Sequence, residues 1–232
     1  MKEEFLNLLR SVKREGIDDL IRFIENTDFF TAPASTRFHG DYAGGLVEHS
    51  MKVYEILQEK VKNAPIALNI PTETLIIVPL LHDLCKANFY KVDYRNAKNA
   101  RGEWEKVPYY AVEDTIPYGH GEKSVMMITE YMKLTNEEKY AIRWHMGFTE
   151  PKELYGTIGE AYKKYPIALL TKYPTQSTSL TFSFILSPTV IPYRFIWNKL
   201  WLCSHNCSAT STLRQLILCT LFFILIVYVW NY

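Results

Sequence analysis

The alternation of apolar and polar positions along this 232-residue chain predicts helices for most of residues 1–171. Phe5, Leu8, Leu9 and Val12 recur at three-to-four spacing, with Gly16 as the expected stop. A second short helix is predicted over 17–25, with Leu20, Ile21 and Ile24 on one face. Residues 31–45 are polar and punctuated by glycine, which reads as loop. A long amphipathic helix follows over 46–62, with Val53, Ile56, Leu57 and Val61 inward. Pro71-Thr72 opens the next helix, and its run 75–81 is apolar all round, as expected of a central buried helix. Residues 90–118 change character: two Tyr/Val/Trp-rich runs flank a segment containing Arg101-Gly102, a β-hairpin insert. Helical spacing returns over 120–132, 136–145 and 155–170. The expected class is therefore all-α, a compact helical bundle with one small hairpin insert.

Composition divides the chain in two. With 48% hydrophobic and 22% charged residues it is globular on average, and its net charge of +1 excludes a general basic field for nucleic acid. Yet all 25 acidic residues lie at or before Glu160, and beyond residue 171 the only basic residues are Lys172, Arg194, Lys199 and Arg214. Residues 172–232 thus read as an atypical tail of the kind a reading-frame shift produces. Its uncharged segment 216–230 is shorter than the roughly 20 residues of a spanning helix. That segment leaves tail anchoring in a membrane as the second reading. Cys203, His205 and Cys207 are spaced too closely for a structural zinc site. The N-terminus has early acids and no apolar run, and the body carries one cysteine, Cys85. Both features point to a reducing, cytoplasmic setting.

The chemistry of the body lies in its histidines. Five of the six are His39, His49, His82, His120 and His145. His82-Asp83 ends the most apolar helix, where a carboxylate is costly unless it is paired or bound to a cation. His49 is one turn into the preceding long helix, so an antiparallel helix pair would bring it beside His82. His120 and His145 belong to the first and last turns of two later helices and form a second candidate pair. Imidazole with carboxylate suits a divalent transition ion better than calcium. Taken singly, each histidine is more often a surface or satisfied core residue.

Gly44-Gly45-Leu46-Val47-Glu48-His49-Ser50, Leu80-Leu81-His82-Asp83-Leu84-Cys85-Lys86, Gly119-His120-Gly121-Glu122-Lys123-Ser124 and Trp144-His145 together resemble the HD-domain metal-dependent phosphohydrolase superfamily, over about residues 30–171. The resemblance implies a helical HD-type bundle and one or two divalent ions (Mn, Fe, Ni, Zn or Mg). It implies His49, His82 and Asp83 around a first ion, and Asp83 bridging to a second held by His120 and His145. Lys86 would reach the phosphate or position the nucleophile, so Asp83 and Lys86 are the implied catalytic residues. The implied activity is hydrolysis of a phosphate ester, in a nucleotide or a short, single-stranded nucleic acid, by metal-activated water. Arg37, His39, Lys123 and Arg143 neighbour the motifs and are weaker candidates for holding further phosphate. The superfamily pattern closes with an Asp on a helix after the last His, whereas this chain reads Lys172-Tyr173-Pro174 there. A catalytically inactive metal- or nucleotide-binding module is therefore the alternative.

Two smaller features complete the reading. Thr135-Asn136-Glu137-Glu138 is a helix start, with a cap and first-turn acids. Tyr90, Tyr94, Trp104, Tyr109 and Tyr110 crowd the hairpin, either as core packing against the helices or as a nucleobase-stacking lip.

Overall fold

Helix α1 (Lys2–Ser11) buries Phe5, Leu6 and Leu9 and stops where Val12 turns extended, well short of Gly16. Gly16 instead caps α2 (Ile17–Glu25) in the left-handed conformation, at φ 85°. No side chain fits there, because a Cβ would meet the Tyr131 carbonyl. These details come from a computed structural model that describes residues 1–36, 40–64 and 67–172. The tail call for 173–232, its segment 216–230, and Arg37 and His39 lie outside those residues.

The long helix α3 (Gly45–Lys62) packs on α4 (Thr72–Leu81), which is buried from Thr74 to Leu81. Helix α4 sits centrally because it has no polar face to show solvent, and α1, α3 and α6 (Asn136–Arg143) surround it. Pro79 lies inside α4 and has no N–H, so the Leu75 carbonyl loses its helical donor. Gln58 of α3 supplies a replacement, Nε2 donating to Leu75 O at 3.4 Å. After α4, His82 caps the helix and Asp83 leads into a 3₁₀ turn, Leu84–Lys86.

Helix α5 (His120–Thr129) packs on α6 and on the 3₁₀ turn after Asp83. Close approach of α5 and α6 depends on Gly121, whose missing Cβ leaves room for the Arg143 carbonyl. The helix expected over 155–170 is two helices, α7 (Tyr155–Lys164) and α8 (Pro166–Thr171), broken at Tyr165 because Pro166 cannot continue the ladder. Thr135 starts α6 with a complete capping box, its hydroxyl accepting from Glu138 N while Glu138 accepts from Thr135 N. Glu138 does more than cap. It is fully buried, takes Arg14 in two hydrogen bonds of 2.7 Å and accepts from Thr74 at 2.8 Å.

The expected all-α class is corrected by the hairpin. Strands β1 (Tyr90–Lys98) and β2 (Trp104–Val112) pair antiparallel over their full nine residues, so the chain is mixed, mostly helical with a two-stranded sheet. The packing reading of its aromatics is also corrected at two positions, since Tyr94 is 62% exposed and Trp104 70% exposed. No helix of the described residues is long and apolar enough to cross a membrane.

Candidate metal centre

Asp83 is the hub of the site. It is 2% exposed, placed there by the end of α4, whose run 75–81 is apolar, and the groups around it come from four parts of the chain: His49, the segment holding His82 and Lys86, His120 and His145. Its Oδ2 lies 3.4 Å from His49 Nε2, 3.4 Å from His82 Nε2 and 2.8 Å from Lys86 Nζ. Its Oδ1 lies 2.8 Å from His120 Nε2 and 3.4 Å from His145 Nε2. The two oxygens thus divide the four imidazoles into the two pairs expected from sequence. Helix packing explains the division. The α3–α4 contact supplies His49 and His82, whose Nε2 atoms are 3.1 Å apart. The α5–α6 contact supplies His120, the first residue of α5, and His145, which lies just beyond the end of α6 rather than in its last turn.

The orientation of the rings decides what the cluster can do. His82 Nδ1 faces Pro79 O at 2.8 Å, and His145 Nδ1 faces Ile142 O at 2.7 Å. A carbonyl only accepts, so both Nδ1 atoms carry the proton and donate it. In a neutral ring Nε2 is then a lone pair. Burial holds His82 neutral by pushing its pKa down to about 4, against the pull of Asp83. His145 Nε2 is buried with no hydrogen-bond partner. With its proton on Nδ1, the neutral His82 ring turns its Nε2 lone pair toward the carboxylate of Asp83, an arrangement that is repulsive unless a cation lies between. Protonated Nδ1 held by a backbone carbonyl is also the usual means of orienting a metal-binding histidine. The spacing agrees: at ligand distances of ~2.1 Å, neighbouring donors of an ion are roughly 3.0–3.4 Å apart.

His49, His82 and Asp83 form one group able to hold a metal ion, and Asp83, His120 and His145 form another. The ionised carboxylate suits this, while Lys86 and the His120 proton occupy its oxygens and would have to give way to an ion. Burial would raise the Asp83 pKa, but the Lys86 ammonium and the hydrogen bond from His120 hold it well below the ordinary carboxylate value. Burial would lower Lys86, and its pairing with Asp83 raises it instead. His120 is pushed down by burial, yet hydrogen bonds to Asp83 and Cys85 bring it up to about 10.

The other described sequence candidates, Lys123 and Arg143, are engaged elsewhere. Lys123 is buried, with Nζ 2.7 Å from Asp114 and over the Phe89 ring. Arg143 pairs with Glu150 at 2.8 Å and with Glu122, and stacks on Trp144. Two neighbours escaped the sequence reading. Cys85 Sγ is 3.3 Å from His120 Nδ1, and Ser124 Oγ accepts from Cys85 N at 3.1 Å. Both residues lie within the quoted motifs, Cys85 two positions after Asp83 and Ser124 one turn after His120, and that adjacency was the available signal. No family model matches the chain, and no curated protein or solved structure matches it either.

Proposed function

We infer that the protein is a metal-dependent phosphohydrolase of the HD type, acting on a phosphate ester. The observation that carries this reading is the pair of Nε2 atoms, from His82 and His145, aimed at opposite oxygens of one buried carboxylate while each ring's Nδ1 is held by a backbone carbonyl. His49, His82 and Asp83 would hold one divalent ion, and Asp83, His120 and His145 a second. Mn, Fe, Ni, Zn and Mg are the candidates, imidazole favouring the transition ions. A divalent ion there supplies an acidified water as nucleophile and neutralises charge on the phosphoryl oxygens. Asp83 fixes the relative position of the two histidine pairs. Lys86 keeps a permanent charge beside them, its side chain 18% exposed, and offers that charge to a phosphate oxygen. The reading carries with it a cytoplasmic setting and a phosphorylated small molecule or nucleotide as substrate.

A second reading is favoured by one observation. After His145 the described carboxylates are Glu150, bound to Arg143, Glu153, and Glu160, bound to Lys163. None joins the cluster, and Thr171, at the end of α8, turns its hydroxyl back to Ile167 O. In that reading the same residues form a metal- or nucleotide-binding module without turnover.

The experiment is metal analysis of the purified protein, followed by titration with manganese and a screen of phosphodiester and nucleotide substrates. Manganese binding with turnover, both lost in His82→Ala, supports the hydrolase. Binding without turnover supports the second reading. Absence of manganese binding by the wild-type protein would overturn the hydrolase, and absence of nucleotide binding as well would overturn both.

A further inference from the structure

The hairpin register sorts its residues onto two faces. Successive side chains of a strand point to opposite sides, and directly paired residues share a side. The pairs Val92–Tyr110, Tyr94–Pro108, Asn96–Lys106 and Lys98–Trp104 therefore lie on one face, together with Tyr90 and Val112. Lys98 Nζ lies 5.3 Å from the centre of the Trp104 ring, as this face requires. The opposite face carries Lys91, Asp93, Arg95, Glu105 and Tyr109, and there Tyr109 Oη donates to Asp93.

The two faces differ in charge as well as in shape. The first carries two cations, Lys98 and Lys106, and no carboxylate. The second balances Lys91 and Arg95 against Asp93 and Glu105. A two-stranded sheet that needed only to be soluble would place its mixed charges on both sides and would not expose Tyr94 and Trp104. Aromatic rings interleaved with cations, free of acids, match a ligand with stackable planes on a negative backbone. That is the chemistry of single-stranded nucleic acid. The face also leads somewhere. Tyr90 begins β1 four residues after Lys86, is half-buried, and donates Oη to Ala34 O at 3.4 Å. At about 3.4 Å per residue the strand reaches roughly 30 Å from there to its far end. That length is enough for a short single strand of the ~4–16 nucleotides that such surfaces hold.

We propose that the face formed by Tyr90, Tyr94, Lys98, Trp104, Lys106 and Tyr110 binds single-stranded nucleic acid and leads it to the Asp83 cluster. The delivery rests on the phosphohydrolase reading; the binding does not, and the test keeps the two apart. A fluorescein-labelled 12-mer of oligothymidylate is titrated with the full chain in chelator, at low salt, and anisotropy is read. The wild-type protein binds it, and the double variant Tyr94→Ala, Trp104→Ala binds about tenfold or more weakly. Lys98→Glu with Lys106→Glu also weakens binding, and it flattens the salt dependence. Circular dichroism and thermal denaturation of these variants match wild type, which shows them folded. His82→Ala loses manganese and keeps the oligonucleotide, so failure of the metal site leaves this proposal standing. It is overturned if wild type does not bind the 12-mer, or if all hairpin variants bind it equally. It is equally overturned if sedimentation shows the face to be a dimer contact, with self-association lost in Trp104→Ala and the 12-mer not competing.

Discussion

His120 Nε2 lies 2.8 Å from Asp83 Oδ1, the carboxylate oxygen that Lys86 does not use. Asp83 is thereby shared: one oxygen belongs to the His49–His82 pair and Lys86, the other to the His120–His145 pair. A shared hub and its dependants respond differently to substitution. Asp83→Asn removes the one charge common to both groups and leaves Lys86 buried without its partner. It should abolish divalent-ion binding altogether and lower stability by about 3–5 kcal/mol. His120→Asn should spare the His49–His82 side, leaving one class of ion where the two groups of ligands together would give wild type two. Calorimetric titration with manganese checks both. Equal residual binding in the two variants would contradict the division of the carboxylate.

The α5–α6 contact that brings His120 and His145 together is set by Gly121, where a Cβ would run into the Arg143 carbonyl. Backbone cannot yield as a flexible side chain can, so Gly121→Ala must push the two helices apart. Overpacking of this kind costs about 1–3 kcal/mol. It should also weaken manganese binding on the His120–His145 side while the His49–His82 side, built from α3 and α4, is unaffected. Thermal denaturation together with metal titration distinguishes this from general unfolding, which would weaken both sides alike.

Lys86 permits a separation of binding from chemistry. Its ammonium is 2.8 Å from Asp83 Oδ2 and competes with any cation for that oxygen. Lys86→Met should therefore leave divalent-ion affinity equal or higher. If the protein is the hydrolase proposed above, turnover of a phosphodiester should nevertheless fall by about 10²–10³, the usual loss when a stabiliser of developing charge is removed. Parallel loss of metal and activity would mean that Lys86 only supports the carboxylate.

Much of this was legible from local sequence because local rules govern it. The bounds of α2 follow from Leu20, Ile21 and Ile24 and their flanking residues, and the central place of α4 follows from its lack of any polar face. The meeting of His49 with His82 needed only helical periodicity and an antiparallel neighbour. What escaped depended on contacts distant in sequence or on a competing backbone rule. The reading carried one helix through Pro166, although the residue before a proline resists helical geometry. The hairpin strands were foreseen, but not that Tyr94 and Trp104 face solvent, because alternation alone does not say whether a sheet has a layer to lie on. Glu138 read only as a first-turn acid of its helix, and nothing near it in sequence announces Arg14, 124 residues away.

That ion pair gives the clearest dependence of stability on pH. Glu138 is buried to 0% exposure with Arg14 at 2.7 Å, and Arg14 also holds Glu73 at 2.9 Å. Burial would raise the Glu138 pKa, but Arg14, Thr135 N and Thr74 together hold it below its ordinary value of 4.5. Glu73 is lowered too, by the Lys13 backbone N–H and by Arg14. A carboxylate whose folded pKa is depressed stabilises the fold above its unfolded pKa, and that contribution is lost as pH falls through the folded value. At neutral pH, Glu138→Gln should cost about 3 kcal/mol, the lower end for breaking a buried pair because Arg14 keeps Glu73. As pH falls below the ordinary carboxylate value of 4.5 the wild-type advantage should shrink, since the carboxylate it depends on then takes up its proton. Urea denaturation of both proteins across this range measures the difference directly. A gap that stayed constant with pH would show that Glu138 acts through shape and hydrogen bonding, not through its charge.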